Sequence, residues 1–303
     1  MDNVFTRSSA GRGLLSSKDL RDPKVRLLLM GGRILLWTAA LVTMAPILWM
    51  VLSSFRTASE LYAVPQAFWP KAFNLDNYAA ALRLVPFGLY VVNSLILCLG
   101  SVLGQVLTAA MAGYALSKLR VRGANAWMLL FLTSLMVPIE LLVLPLYLIM
   151  RHFPLGPGHP GVNLLDSYWG LILPSVFSAF AVFVAKDAMD SVPSEILDAA
   201  RIDGCGEMRV FWKFALPMIK PALAILGVFA FVTSWNSFFW PLIVINNPDF
   251  YPLVLGVQKL IDTGEPLNVV LAALSLSTIP SLVLLVLFQR TLIRGIAYTG
   301  LFG

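Results

Sequence analysis

Three charged residues, Glu195, Asp198 and Arg201, follow one another at intervals of three in a hydrophilic stretch of an otherwise apolar chain. Residues three apart share one face of a helix, so these side chains would form a single charged row. Pro193 suits the start of such a helix, and Gly204 can supply the left-handed residue that ends it. The chemistry that a charged row supports is ionic contact with another protein.

A pair of alanines, Ala199 and Ala200, lies between these charges. Small side chains on an exposed helix allow the backbone of a second protein to approach closely. The charged row and the alanine pair therefore suit a helix that docks into a groove of a partner. A solvated connector between two membrane helices is the simpler interpretation, and the pattern alone is compatible with both.

A second set of candidate residues lies inside the apolar runs. Glu140 is the one ionisable residue deep within such a run, and charges in membrane spans usually face a bundle interior or a water-filled cavity. It could line a path for solute, bond backbone groups freed by Pro138, or pair with a neighbouring subunit. Trp235 and Asn236 lie mid-way along another run, where an aromatic ring and an amide could contact a solute or pack against a partner subunit.

Several enzyme classes are excluded by residue patterns that the sequence lacks. It contains no G-x-x-x-x-G-K-[ST] phosphate-binding loop, which excludes ATP hydrolysis of the usual kind, and neither H-E-x-x-H nor G-x-S-x-G. His152 and His159 have no Cys or carboxylate at ligand spacing, which argues against a metal site. Cys98 and Cys205 form neither a disulfide framework nor a metal site.

Membrane helices must position all of these residues. Of the 303 residues, 58% are hydrophobic and 13% are charged, whereas soluble domains have about 45–50% and about 25%. The basic pI of about 9.4 does not imply nucleic-acid binding, because the basic residues are distributed as in a membrane protein. A span needs about 20 apolar residues. Six runs meet this length: 32–54, 87–116, 124–150, 168–186, 218–245 and 267–289.

The distribution of Lys and Arg predicts the orientation of these spans. If the N-terminus is inside, 17 of the 22 Lys and Arg residues fall on the cytoplasmic side and 5 on the outer side. Cytoplasmic loops carry such an excess of basic residues. We therefore expect both termini and the loop 191–220 in the cytoplasm. Residues 1–31 would form a cytoplasmic tail rather than a cleaved signal peptide, and residues 32–303 a six-helix transmembrane domain.

The hydrophilic stretch resembles the EAA loop of permease subunits in bacterial ATP-binding-cassette (ABC) importers, whose pattern runs E-A-A-x-x-x-G and continues to a hydrophobic residue and Pro. Here the pattern reads Asp198-Ala199-Ala200-Arg201-Ile202-Asp203-Gly204 and continues to Leu216-Pro217. Asp198 replaces the usual Glu, which keeps the charge and shortens its reach. The resemblance implies a coupling helix that contacts the ATPase through Glu195, Asp198, Ala199, Ala200, Arg201, Asp203 and Gly204.

Further matches run through the membrane region and are similar to the carbohydrate, maltose-permease-G-like branch: Asn93-Ser94, Gly113-Tyr114-Ala115, Tyr168-Trp169-Gly170 and Trp235-Asn236. The resemblance implies an all-α integral membrane protein with the type I ABC importer permease fold, six transmembrane helices and a cytoplasmic coupling helix. Glu140, Trp235 and Asn236 are then the candidate residues of the translocation pathway. It also implies a multi-pass protein of the bacterial cytoplasmic (inner) membrane.

The resemblance further implies a transport function rather than an enzymatic one. The chain would be the permease subunit that moves a sugar or oligosaccharide inward by alternating access. Its partners would be a second homologous permease, two ATPase subunits that bind ATP and Mg, an extracytoplasmic solute-binding protein and the lipid bilayer, with no nucleic acid and no cofactor in this chain. The alternatives are an ion-gradient-driven secondary transporter, which should show repeated broken helices, and a membrane enzyme or scaffold.

Overall fold

A computed structural model describes residues 23–65, 67–119, 121–156 and 159–299, with side chains as far as residue 289. The described part of the chain is helical, with one isolated antiparallel bridge between Phe153 and Val162. Two 3-10 turns, Leu173–Ser175 and Pro248–Phe250, and one π-helical segment, Phe211–Ala215, accompany the α-helices. These α-helices are α1 Pro23–Ser53, α2 Ala58–Leu61, α3 Asp76–Leu84, α4 Phe87–Lys118, α5 Ala124–Ser134, α6 Ile139–Arg151, α7 Tyr168–Ile172, α8 Ala179–Asp190, α9 Ser194–Ile202, α10 Glu207–Val210, α11 Leu216–Met218, α12 Lys220–Trp235, α13 Phe239–Val244, α14 Leu253–Asp262 and α15 Leu267–Thr299.

The helices account for the six predicted spans in two ways. Two whole helices, α1 and α4, and the part of α15 from Leu267 to Gln289 are long and apolar enough to cross a membrane. Three bent pairs pass the same test together: α5 with α6, Tyr168–Ser175 with α8, and Glu207–Met218 with α12. The described residues thus hold up to six spans, as predicted. Helix α1 begins at Pro23, within the predicted tail, and residues 1–22 lie outside the described residues.

The third predicted span, 124–150, is not one helix. Helices α5 and α6 meet at 102°, and the break falls directly before Ile139. Pro138 explains the break, because it has no N–H to donate and its ring disfavours a helical backbone at Val137. Smaller bends of 48° within the fourth span and 80° before α12 also lie next to prolines, Pro174 and Pro221.

The fifth predicted span, 218–245, ends earlier than expected. Helix α12 stops at Trp235, and α13 starts only at Phe239. Pro241 prevents a continuous helix here because it cannot donate a hydrogen bond to the carbonyl four residues earlier. At the end of α12, the Asn236 side chain donates to the carbonyl of Val232 at 2.8 Å, and that carbonyl also accepts the backbone N–H of Asn236 at 3.1 Å.

The chain forms two compact units, which divide between Asn74 and Leu75. In the first, the buried Arg56 donates to the carbonyls of Ala67 and Phe68 and holds the loop that follows α1. In the second, α4 packs along both α8 and α12, and α15 packs against α12 and α3. The position of α4 among these helices makes it the central element of the second unit.

Glycines allow this close packing of α4. A Cβ atom at Gly100 or Gly104 would lie 2.6 Å from Ile172 and 2.7 Å from Val176, respectively. A Cβ atom at Gly113 would lie 2.8 Å from the backbone of Ala185 in α8. The G-x-x-x-G pattern of the second span therefore has the packing role that such patterns commonly have.

Candidate functional site

Helix α9 is the segment predicted to couple to a partner, and its two ends follow from its sequence. It begins after Pro193 and has Glu195 in its first turn, where the positive end of the helix favours an acid. Gly204 follows the helix with a left-handed φ of 81°. The N–H of Gly204 donates to the carbonyl of Arg201 and that of Cys205 to the carbonyl of Ala200, both at 3.0 Å. This pair of bonds is a Schellman motif, which confirms the predicted left-handed stop.

One face of α9 is buried within the chain. Leu197 and Ala200 pack against Val210, Phe211 and Ala215 in the cluster at the C-terminal end of α4. Ala200 is only 4% exposed. The expectation that both alanines face outward is therefore wrong for Ala200, whose small side chain instead allows α9 to lie close to the segment that follows it.

The opposite face of α9 is exposed and carries acids beside apolar side chains. Of its two isoleucines, Ile202 is the more exposed, with 87% of its surface exposed. Six residues form this exposed face, which we call the coupling surface: Glu195, Ile196, Asp198, Ala199, Ile202 and Asp203.

Arg201 lies at the edge of α9 and gathers three partners into what we call the Arg201 cluster. Its guanidinium contacts Asp198 through Nη1 at 2.6 Å and Glu207 through Nε at 2.7 Å and Nη2 at 3.3 Å. The hydroxyl of Tyr114 in α4 donates to Glu207 at 2.7 Å and lies 3.4 Å from Nη2 of Arg201. The cluster thus joins α9 to α10 and to α4.

The electrostatics of the cluster favour the charged forms. The hydrogen bond to Glu207 raises the pKa of Arg201, and the bond from Arg201, followed by that from Tyr114, lowers the pKa of Glu207. Glu207 was not among the predicted site residues. The sequence does contain a signal for it. Glu207 follows the helix-ending Gly204 by three residues, close enough to pair with Arg201 across the turn.

Two further contacts tie the loop before α9 to the end of α4. Lys118 Nζ donates to the carbonyl of Val192 at 2.7 Å. Ser117 Oγ donates to Asp190 Oδ1 at 2.6 Å, and the other oxygen of Asp190 pairs with Lys186 at 2.7 Å. The last turn of α4 therefore contacts the segment before α9, and Tyr114 contacts Glu207 after it.

The predicted pathway residues lie at helix breaks rather than inside continuous spans. Glu140 occupies the first turn of α6, directly after the 102° bend, and its side chain is exposed. Asn236 caps the end of α12 and is also exposed. Unwound backbone at such breaks can bind polar solutes when it lines a cavity. The pathway roles of Glu140 and Asn236 stay predictions.

Trp235 has a different environment. Its ring is 1% exposed and stacks on Phe231 with the two ring planes 9° apart. Its Nε1 donates to the carbonyl of Ser277 in α15 at 3.0 Å. The expectation that Trp235 offers a face to a sugar is wrong for this conformation, because the ring is enclosed between α12 and α15.

Sequence comparison identifies the group of proteins to which this arrangement belongs. Residues 104–298 match the family described as binding-protein-dependent transport system inner membrane component. The chain belongs to this family. The matched residues include the coupling surface, the Arg201 cluster and Asn236. The match begins within α4, at Gly104.

Two curated members of the family are similar to this permease along most of its length. The arabinooligosaccharides transport system permease protein AraQ of Halalkalibacterium halodurans is 34% identical over 272 residues, which are 87% of this chain and 93% of the relative. The sn-glycerol-3-phosphate transport system permease protein UgpE of Yersinia pestis is 31% identical over 272 residues, with coverages of 87% and 94%.

A solved structure shares the fold. A chain of a bacterial ABC transporter involved in the import of the acidic polysaccharide alginate superposes with a TM-score of 0.75 at 22% identity, over 92% of this permease and 99% of that chain. A second structure, the alginate transporter in complex with an alginate pentasaccharide-bound periplasmic protein, gives a TM-score of 0.61 at 18% identity. These findings support the predicted ABC importer permease over the secondary transporter.

Proposed function

We propose that this protein is the permease subunit of an ATP-driven importer that carries a sugar or oligosaccharide inward by alternating access. The observation that carries the proposal is the exposed helix α9 of a chain in the inner membrane transport family, closed by the Schellman motif at Gly204. The names of the relatives, one for arabinooligosaccharides and one for sn-glycerol-3-phosphate, support a hydroxyl-rich solute.

The coupling surface supports an ATPase partner with a particular groove. Its acids, Glu195, Asp198 and Asp203, surround the apolar side chains of Ile196 and Ile202. Such a surface is complementary to an apolar groove with basic residues at its rim, and buried apolar anchors usually contribute most to binding. Arg201 is occupied within the chain by Glu207, so its role is to hold α9 in place rather than to contact the ATPase.

The orientation of the permease follows from its basic residues. Because cytoplasmic segments carry most of the Lys and Arg, the N- and C-termini and the loop 191–220 belong in the cytoplasm. The coupling surface then faces the compartment that contains ATP.

The remaining parts of the importer are separate subunits. A second homologous permease completes the pathway, two ATPase subunits bind ATP and Mg, and an extracytoplasmic solute-binding protein delivers the solute. This chain has no phosphate-binding loop of its own. Among the described residues, no group of three or more His, Cys, Asp or Glu is arranged to hold a metal ion.

Within the membrane, Glu140 and Asn236 are the residues that we assign to the pathway. Both side chains are exposed at helix breaks, a kind of position where transporters often bind polar solutes. Closure of the ATPase pair would move α9 as a rigid body and open the cavity between the helices to the outer side, where it accepts solute. When the ATPase pair reopens after ATP hydrolysis, the cavity would open to the cytoplasm.

Gentle solubilisation from the native membrane tests the proposal directly. We expect the permease to be purified together with a second permease and with two copies of an ATPase. ATP hydrolysis by that complex should rise when the solute-binding protein is added with its solute. Recovery of the chain alone, or as a homodimer without an ATPase, would refute the coupling role of α9 and favour a gradient-driven transporter.

A further inference from the structure

We infer that α4 is a rigid connecting helix, which relays movement of the coupling helix α9 to the segment Asp249–Leu253 at the opposite end of the bundle. The inference rests on the proposed function, and it names the element through which ATPase closure reaches the solute-binding side. The argument depends on the contacts at the two ends of α4 and on the continuity of the helix between them.

At its C-terminal end, α4 contacts the coupling region through directional bonds. Tyr114 donates to Glu207 in the Arg201 cluster, Ser117 donates to Asp190, and Lys118 donates to the carbonyl of Val192. Charge-assisted bonds of this kind fix relative orientation, whereas apolar packing alone can rearrange by sliding. A displacement of α9 must therefore displace the last turns of α4 or break the cluster.

At its N-terminal end, α4 contacts the segment Asp249–Leu253 through the buried side chains of Asn93 and Ser94. Asn93 Nδ2 donates to the carbonyls of Asp249 at 2.8 Å and Tyr251 at 3.0 Å. Ser94 Oγ accepts the N–H of Leu253 at 2.8 Å, just where α14 begins. Tyr168 donates to Asn93 Oδ1 at 2.7 Å and fixes the amide in this orientation. We call these contacts the Asn93 junction.

Between the two ends, α4 runs for 32 residues without a proline. Asn93 and Tyr114 are 21 positions apart in α4, which corresponds to about 32 Å at a rise of about 1.5 Å per residue. The other candidate spans of the described chain contain Pro46 or Pro280, or bend by 48° to 102°. Bends of this kind can absorb a displacement, so a helix that runs unbroken between the two ends is the element best suited to transmit one.

The experiment uses the permease in its purified complex with the co-purifying ATPase and second permease. Hydrogen–deuterium exchange is measured with and without the non-hydrolysable nucleotide AMP-PNP and Mg. In the wild-type complex, nucleotide should change the exchange of α9 and of the amides from Asp249 to Leu253. In Tyr114→Phe and in Asn93→Ala, the response of that segment should fall about fivefold or more, while the response of α9 persists.

Two kinds of control variant make the result specific to the helix. Lys186→Gln removes the neighbouring surface ion pair of Asp190 and should leave the response intact. Leu99 and Leu103 are both exposed on α4, so Leu99→Gly with Leu103→Gly softens the helix without touching either end. The glycine pair should weaken the response, whereas Leu99→Ala with Leu103→Ala should preserve it.

The outcomes separate this inference from the proposed function. If no ATPase co-purifies with the wild-type chain, the proposed function fails. If the complex assembles but Tyr114→Phe and the glycine pair respond as the wild type does, the role of α4 is refuted while the proposed function stands. Should Tyr114→Phe fail to assemble, Ser117→Ala applies the same test, because it removes the donor of α4 to Asp190 and leaves the Arg201 cluster intact.

Discussion

Arg201 and Glu207 form a two-point ion pair across the turn that ends α9, with Nε to Oε1 at 2.7 Å and Nη2 to Oε2 at 3.3 Å. The two residues lie on either side of Gly204, so their side chains bridge the turn. The Schellman motif bridges the same turn with backbone hydrogen bonds. Tyr114 donates to the second oxygen of Glu207 and connects the closed turn to α4. The stability of this turn should therefore depend on the charge of Glu207.

Acid should remove the contribution of this ion pair. Because the folded state lowers the pKa of Glu207 below its ordinary value of 4.5, the contribution is complete above that value and is lost as the pH falls through the lowered pKa. The Glu207 side chain is 49% exposed, so we expect a contribution of about 0.5 kcal/mol. The measurement is the thermal unfolding midpoint of the wild type and of Glu207→Gln at about pH 7 and about pH 3. The wild-type advantage should vanish at the lower pH, and an advantage that persists in acid would contradict the assignment.

Substitution of Gly204 should damage the coupling helix through its backbone. A Cβ atom there would meet nothing within 4 Å, so the cost is conformational and not steric. Gly204→Val in the left-handed region should cost about 1–2 kcal/mol, whereas Gly204→Asn should be milder because Asn tolerates that region. We expect Gly204→Val to remain in the membrane but to lose transport and to retain less ATPase on purification. Equal behaviour of the two variants would show that left-handed geometry is not what matters at Gly204.

Ile202 should be an anchor of the ATPase contact because it is the more exposed of the two isoleucines of the coupling surface, at 87% against 43% for Ile196. Ile202→Asp replaces an apolar anchor with a charge and should weaken ATPase association by about tenfold or more. The amount of ATPase that co-purifies per permease measures the effect. Leu155→Asp, at an exposed position in the loop after α6, is the matched control. A similar loss in both variants would indicate general destabilisation rather than a lost contact.

Gly113 should be intolerant of any side chain. A Cβ atom would lie 2.8 Å from backbone atoms of Ala185 and Lys186, and the backbone of α8 cannot rotate away as a side chain can. We expect Gly113→Ala to destabilise the protein by about 1–3 kcal/mol. Gly227→Ala is the control, because its Cβ would lie 3.6 Å from Val102, an ordinary contact distance. Thermal unfolding of the purified variants distinguishes the two, and equal midpoints would refute the close α4–α8 contact.

Trp235 and Asn236 should affect transport in different ways despite being neighbours. Trp235→Phe loses the bond to Ser277 and should lower thermal stability without changing the KM for uptake. Asn236→Ala keeps the core intact and should raise the KM, since its exposed amide is available to solute hydroxyls. Uptake into whole cells with a panel of neutral oligosaccharides measures both. A changed KM for Trp235→Phe with no loss of stability would indicate that Trp235 contacts the solute after all.

The sequence predicts the number of spans and the coupling helix well, because both depend on local patterns. Apolar length identifies a span, and the residues from Pro193 to Gly204 contain the start and stop of α9. The breaks at Pro138 and after Trp235 are less predictable, since apolar runs in membranes often continue through a proline or asparagine. Composition identifies an apolar stretch that is long enough to span the membrane. Whether the helix in that stretch bends depends on the backbone geometry around each proline.

The Arg201 cluster shows why the site could be predicted only in part. Glu195, Asp198 and Arg201 lie on one helix, and their spacing can be read from the sequence. Tyr114 lies 87 residues away from Arg201, so its contact depends on how α4 packs against the segment after α9. The burial of Ala200 has the same origin, because periodicity alone does not say which face of a short amphipathic helix a neighbouring segment covers.

The Schellman motif at the end of α9 also makes the native chain suitable for fluorescence labelling. Cys205 lies in that motif with a half-buried side chain, whereas Cys98, the other cysteine of the sequence, is fully buried in α4 and donates to the carbonyl of Phe231. A thiol-reactive dye should therefore label Cys205 alone without any engineered mutation. The dye would sit one residue beyond Gly204, where its emission should report the arrival of a partner on the coupling surface.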